Sequence, residues 1–174
     1  MDLEKIIRTV PDFPKKGIYF KDLTPIWEDN KAVKYIVKKF VEFSSTKNIT
    51  HVVGIESRGF ILASLLANEL GIGFVPIRKK GKLPGKTFSQ GYKLEYGKDS
   101  MEIHIDALKK GDQVILHDDV LATGGTLEAA LKLINQTGAT VAGICLVVEL
   151  AFLNGGKKVE NYKLLSLVKY FQEN

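Results

Sequence analysis

The sequence predicts an α/β protein, a twisted and mostly parallel sheet flanked by helices. Three observations carry this. Apolar runs of strand length recur at residues 51–55, 73–77, 114–119, 140–150 and 164–170. Most of these runs are continuous rather than alternating, as in strands covered on both faces. Segments with helical apolar spacing separate them, so strand and helix alternate as in βαβ units.

In chain order, residues 3–10 read as a short amphipathic helix. Residues 11–25 are rich in Pro and Gly, with Phe13, Tyr19 and Phe20 among turn residues. Asn30 or Asp29 caps a helix whose apolar face is Val33, Ile36, Val37, Phe40 and Val41. A strand over 51–55, a helix over 59–70 and a strand over 73–77 follow. Residues 92–96 and 101–105 flank Gly97-Lys98-Asp99-Ser100 and read as a hairpin. A strand over 114–119 leads to a helix carrying Leu127, Leu131 and Ile134, which Gly138 stops. Strands over 140–150 and 164–170 close the chain. No linker, repeat or low-complexity segment interrupts the 174 residues, which read as one domain.

Composition narrows the function. Hydrophobic content of 45% and charged content of 26% are those of a soluble globular protein. No apolar run reaches membrane-spanning length, and Met1-Asp2-Leu3-Glu4-Lys5 is unlike a signal peptide. Cys145 is the one cysteine, so there is no disulfide framework, and a reducing, cytoplasmic compartment fits. The net charge is +5 and the pI about 9.1. The basic residues are mostly scattered Lys, with no basic helix, so neither nucleic acid nor membrane is an expected partner. Excess positive charge still draws in a polyanionic substrate. Of the three arginines, Arg8, Arg58 and Arg78, the last two fall in segments that read as phosphate-binding.

The most informative stretch runs from Val114 to Thr126, VILHDDVLATGGT. A buried strand ends in Asp118 and Asp119, a small-residue loop follows, and a helix begins. Open α/β sheets bind ligands at such strand ends. A helix N-terminus presents free N–H groups and partial positive charge to phosphate. Ala122, Gly124 and Gly125 leave room for an anion against the backbone, and Thr123 and Thr126 add hydroxyl donors. A nucleotide P-loop needs a Lys after its last glycine, and Gly125 is followed by Thr126-Leu127. G-x-G-x-x-G, G-x-S-x-G and H-E-x-x-H patterns are absent as well. Two acids beside a monophosphate cradle suit a ribose 5-phosphate, the carboxylates near its 2- and 3-hydroxyls and an associated Mg²⁺. The competing account is an ordinary βα turn with two capping acids.

Glu56-Ser57-Arg58-Gly59 closes one strand and opens one helix. It is either a second phosphate site reinforced by Arg58 or a Ser57 helix cap beside an exposed Arg. The segment from Arg78 to Lys86 is long for a strand connection and dense in cations. It reads as a surface loop or as a lid that compensates an anionic leaving group. Phe20 either fills a satellite core or stacks on a base. His104 and His117 lack partners at metal-ligand spacing. As a strand neighbour of Asp118, His117 points to the opposite face and reads as structural. Trp27 is a core or rim aromatic.

These segments together resemble the type I phosphoribosyltransferases, nearest to members that use adenine. The resemblance rests on Asp118 to Thr126, Asp12-Phe13-Pro14, Gly17-Ile18-Tyr19-Phe20-Lys21-Asp22, Ser57-Arg58-Gly59-Phe60, Arg78 to Gly85 and Leu94-Glu95-Tyr96-Gly97, in the family's order and spacing. It implies a small N-terminal hood over about residues 1–30 and a β-hairpin or flexible loop over the site. It implies transfer of the phosphoribosyl group of phosphoribosyl pyrophosphate to adenine, giving AMP and pyrophosphate, by a homodimer. Glu95, Asp118, Asp119 and Arg58 are then catalytic. Arg58, Arg78, Lys79, Lys82, Tyr96, Asp118, Asp119, Leu121, Ala122, Thr123, Gly124, Gly125 and Thr126 bind phosphoribosyl pyrophosphate or AMP. Ile18, Phe20, Lys21 and Val120 bind adenine, Ile18 and Lys21 through their backbones. Mg²⁺ is the implied cofactor, held mainly by substrate and water near Asp118 and Asp119 rather than by a protein cage. A phosphoribosyltransferase for another base, or a non-catalytic nucleotide sensor of the same fold, remains open at this level.

Overall fold

A computed structural model describes residues 1–45, 48–94 and 97–173. Its centre is a seven-stranded sheet built from β3 (His51–Ile55), β4 (Gly73–Lys79), β5 (Thr87–Leu94), β6 (Gly97–His104), β7 (Gln113–Leu121), β8 (Thr140–Leu150) and β9 (Leu164–Tyr170). The spatial order is β5-β6-β4-β3-β7-β8-β9. From β4 to β9 neighbouring strands run parallel, while β6 joins β4 antiparallel and β5 joins β6 antiparallel. The expected mostly parallel sheet is therefore present, with an antiparallel hairpin at one edge.

Alternation along the strands feeds two cores. Val53, Ile55, Val114 and Leu116 pack with α4 (Gly125–Thr137) through Leu127, Ala130, Leu131 and Ile134. Val52 and Ile115 face the other way, to α2 (Asn30–Ser44) and α3 (Gly59–Leu70), where Phe40, Leu62 and Leu66 are fully buried. Burial on both faces explains why these strands read as continuous apolar runs. Asp29 is the cap of α2, its carboxylate accepting a hydrogen bond from the Lys31 N–H at 2.8 Å. Gly138 ends α4 at φ 84°, a left-handed conformation that glycine adopts without steric cost.

Several local readings change. Residues 3–10 form no helix. The chain makes one turn, with Ile6 and Ile7 N–H groups donating to the Leu3 carbonyl, and then enters β1 (Arg8–Pro11). β1 pairs antiparallel with β2 (Tyr19–Asp22), whose ladder outweighs the short helical pattern. Phe20 consequently sits on a strand, not in a turn-rich loop. The edge hairpin is longer than its apolar runs: Gly97 to Ser100 belong to β6, and Leu94 pairs with Gly97. The cationic connection after Lys79 is correspondingly short, since β5 begins at Thr87. β7 also runs past the acid pair to Leu121, because β8 continues to pair with it through Val148 and Glu149. After β8 two 3-10 turns, Ala151–Leu153 and Gly155–Val159, had no signal in apolar periodicity. Before α2, Thr24–Glu28 form the short helix α1, with Ile26 fully buried and Trp27 packed at its side.

Candidate active site

The carboxyl ends of β3 and β7 lie side by side because β3 pairs with β7. Each continues into a helix, α3 or α4, so two helix N-termini converge at one edge of the sheet. The hood strand β2 closes the third side. Between them lies a cavity of about 450 Å³, within the size range of small-ligand sites. Ile18, Phe20 and Lys21 line it from the hood, Ser57 and Arg58 from the β3–α3 turn, and Asp118, Asp119, Val120, Ala122 and Thr126 from the β7–α4 segment.

The cradle is shaped by glycines. Gly124 caps α4 at φ 77°. A Cβ there would lie 2.6 Å from the Gly155 carbonyl oxygen. Gly155 is still tighter: a Cβ on it would run into the Ala122 carbonyl oxygen and sit 2.8 Å from the Gly124 nitrogen. The turn after β8 thus braces the back of the 122–126 loop, a contribution that nothing near the motif in sequence announces. On the other turn, a Cβ at Gly59 would approach Asp118 Oδ1 and the His117 carbonyl at 3.2 Å. That close approach sets α3 directly against the acid pair.

The acids are strongly perturbed. Burial and the neighbouring Asp119 charge push the Asp118 carboxyl well above its usual range. Burial also raises Asp119, and Arg58 opposes that rise. Arg58 Nε approaches Asp119 Oδ2 to 2.7 Å as an ion pair, without the alignment of a hydrogen bond. Asp118 Oδ1 accepts from the Asp119 N–H at 2.9 Å. Ser57 does not cap α3; the cap residue is Arg58, and no side chain accepts from the helix. The Glu56–Ser57 peptide is cis. Arg58 also faces the Phe20 ring at 5.6 Å, and Phe13 meets that ring edge-on at 5.1 Å.

The remaining expected site residues divide. Thr123, Gly124 and Gly125 lie in the loop beside Ala122, whereas the Leu121 side chain is buried in the core and only its backbone remains for the site. Arg78 is engaged elsewhere: it pairs with Glu56 Oε1 at 2.9 Å and donates to the Lys82 carbonyl at 3.0 Å. That pair holds the Glu56 carboxyl below its ordinary range. Lys79 Nζ lies 3.6 Å from Asp99. Glu95 and Tyr96 lie outside the described residues. Three cavity residues escaped the sequence reading as ligand contacts: Tyr19, Tyr92 and Leu150. Tyr92 donates to Asp99 Oδ2 at 3.2 Å, and burial beside Asp99 pushes its phenol up to about 12. His117 stands apart from the site. It is fully buried against Phe40, with Nδ1 2.9 Å from the Cys145 carbonyl.

Among known proteins, residues 27–171 match the phosphoribosyl transferase domain. The chain belongs to the phosphoribosyltransferase family. Within that family it is 52% identical over 170 residues to adenine phosphoribosyltransferase of Methanococcus vannielii, covering 98% of each chain. The fold matches the crystal structure of adenine phosphoribosyltransferase from Thermoanaerobacter pseudethanolicus with a TM-score of 0.93, 46% identity and 97% and 98% coverage. It also matches the Saccharomyces cerevisiae adenine phosphoribosyltransferase complexed with an imino-altritol bisphosphate and adenine, with a TM-score of 0.91, 39% identity and 95% and 96% coverage. The phosphoribosyltransferase fold expected from the sequence is the fold observed.

Proposed function

We propose that this phosphoribosyltransferase joins adenine to the 5-phosphoribosyl group of phosphoribosyl pyrophosphate, releasing AMP and pyrophosphate in purine salvage. The single observation that carries this is one cavity lined by an aromatic ring, an acid pair and a glycine-backed helix N-terminus. Those are the three requirements of base, ribose and phosphate. The relatives named above extend the reading to adenine.

Ala122, Thr123, Gly124, Gly125 and Thr126, with the Leu121 backbone, hold the 5-phosphate by N–H and hydroxyl donors. Asp118 and Asp119 accept from the ribose hydroxyls. Phe20 stacks on the base, Val120 packs on it, and the Ile18 and Lys21 backbones read its edge. Arg58, with Arg78, Lys79 and Lys82, neutralises the pyrophosphate, and Tyr96 adds a hydroxyl donor. The glycosidic bond to pyrophosphate breaks and the bond from C1 to the purine nitrogen forms. The carboxylates stabilise positive charge on the sugar, and Glu95 takes up charge or a proton from the base. Positioning and electrostatics supply most of the acceleration.

Mg²⁺ fits the donor set. No cluster of three or more metal-binding side chains occurs among the described residues, and burial raises both carboxylates at the site, a rise that a bound cation would offset. Mg²⁺ prefers to keep waters and substrate oxygens, so Asp118 and Asp119 beside the substrate are sufficient. When bound, the ion neutralises charge on the leaving pyrophosphate. The working unit is a cytoplasmic homodimer of residues 1–174, each a single domain with its hood at about residues 1–30. The half-exposed Ile61 and Leu65 on α3 offer an apolar face for the second copy.

The test is AMP formation from phosphoribosyl pyrophosphate with adenine, hypoxanthine or guanine, with and without Mg²⁺. Adenine should be preferred and chelation should abolish turnover. Pyrophosphate release with another base alone, or none with any base, would overturn the reading.

A further inference from the structure

We infer that the Lys21 side chain is a positioning residue for the base, clamping the hood to the end of the main sheet through Tyr170. The inference rests on adenine occupying the cavity described above.

Successive side chains on a strand point to opposite faces. On β2, Phe20 turns toward Arg58 and the cavity, so the Lys21 side chain turns away from it, although the residue borders the same cavity. Lys21 is only 7% exposed. Its Nζ donates to Thr9 Oγ1 at 3.1 Å, directly across the β1–β2 pair, and lies 4.2 Å from the centre of the Tyr170 ring. A buried ammonium needs compensation, and here an aromatic face and a hydroxyl provide it.

The positions joined by this contact matter. Tyr170 ends β9 and pairs in register with Leu150 at the end of β8. Leu150 lines the same cavity as Phe20. One cation–ring contact therefore ties the hood to the end of the sheet that carries Leu150, both of which border the space a base would occupy. A two-stranded ribbon such as β1–β2 is marginal without external packing. The backbone of residues 18–21 can select a base edge only if its N–H and carbonyl groups stay in place, since misplacement by about 1 Å costs about a hundredfold in well-oriented reactions. The Lys21 side chain fixes that backbone from behind and itself touches no substrate.

Steady-state kinetics with both substrates varied test the clamp. Lys21→Met should raise the adenine KM about tenfold, the size of a lost desolvated cation–ring contact. The phosphoribosyl pyrophosphate KM should stay within about twofold, because the cradle is on another wall. Lys21→Arg, which keeps a cation over the ring, should restore the adenine KM. Tyr170→Leu should reproduce Lys21→Met, and the double variant should be no worse than either single one, because both remove one contact. An unchanged adenine KM in Lys21→Met, equal rises in both KM values, or multiplying effects in the double variant would overturn the clamp. So would loss of folding in both single variants, seen by circular dichroism, since the contact would then serve the fold as a whole. Wild-type protein inactive with adenine would instead overturn the proposed function.

Discussion

Arg58 and Asp119 meet at 2.7 Å although Arg58 stands in the β3–α3 turn and Asp119 near the end of strand β7. The pair joins the two helix N-termini that form the site. It also sets the charge balance there, because Arg58 opposes the burial that raises Asp119. Removing the arginine leaves a buried carboxylate with less reason to ionise.

That gives a prediction in pH. Arg58→Gln should shift the acid limb of the kcat profile to higher pH, since Asp119 then loses its proton only at higher pH. Asp119→Asn should lower kcat by about a hundredfold or more at every pH, the usual scale for losing one electrostatic contact to a developing charge. Profiles of kcat from pH 5 to 9 check both. An unshifted limb in Arg58→Gln would mean that Asp119 does not need the guanidinium.

The glycine brace gives a steric prediction. Gly155→Ala places a methyl group on the Ala122 carbonyl and the Gly124 nitrogen, so the cradle must move. Overpacking of this kind costs about 1–3 kcal/mol. AMP affinity, measured by calorimetry, should fall about tenfold or more at the same scale. The melting temperature should fall by about 2–12 °C, the scale of that cost in a protein of this length. Unimpaired AMP binding would show that the cradle does not depend on this turn.

Much of this arrangement was legible in the sequence, and the exceptions have physical causes. Continuous apolar runs located β3, β7 and β8 because both faces of the sheet are covered there, and the half-buried β4 and β9 still carried apolar runs of strand length. Asp118 to Thr126 gave strand, acids, cradle and helix from adjacent residues, so local chemistry was enough. Gly155 was invisible because its effect lies across a gap of about 30 residues, in a contact between backbones. Arg78 read as a free cation because its partner, Glu56, is supplied by the neighbouring strand pairing. The segment over 3–10 read as helix because apolar spacing is the same in one turn as in several. Pairing with β2 decided otherwise.

His117 gives a prediction in stability. Burial depresses its pKa from an ordinary 6.5 to about 4. The unfolded chain therefore takes up a proton in a range where the folded protein does not. The neutral histidine's contribution is fully present above about pH 6.5 and is lost as pH falls toward 4, by about 3 kcal/mol in total. Its Nδ1 bonds the Cys145 carbonyl, while its Nε2 has no hydrogen-bond partner among the described residues. His117→Leu should remove this pH dependence, so the stability difference between variant and wild type should grow in favour of the variant from pH 6.5 to 4.5. Urea unfolding at several pH values measures it. Parallel curves across that window would show that His117 does not titrate as its burial requires.

Base choice gives the last prediction. Phe20 offers a ring held edge-on by Phe13 at 5.1 Å and faced by Arg58 at 5.6 Å. Stacking on such a ring is worth about 1–3 kcal/mol per base, and any purine can use it. It does not distinguish adenine from hypoxanthine. Discrimination needs a backbone acceptor facing the 6-amino group, where hypoxanthine presents a carbonyl and two acceptors oppose each other. Unpaired buried polar groups discriminate more sharply than shape does. Phe20→Ala should therefore raise the adenine KM by about tenfold or more while keeping the preference for adenine over hypoxanthine. The ratio of kcat/KM for the two bases, in wild type and variant, decides between stacking and identity. A collapsed ratio in Phe20→Ala would mean that the ring itself selects the base, and that the Ile18 and Lys21 backbones do not.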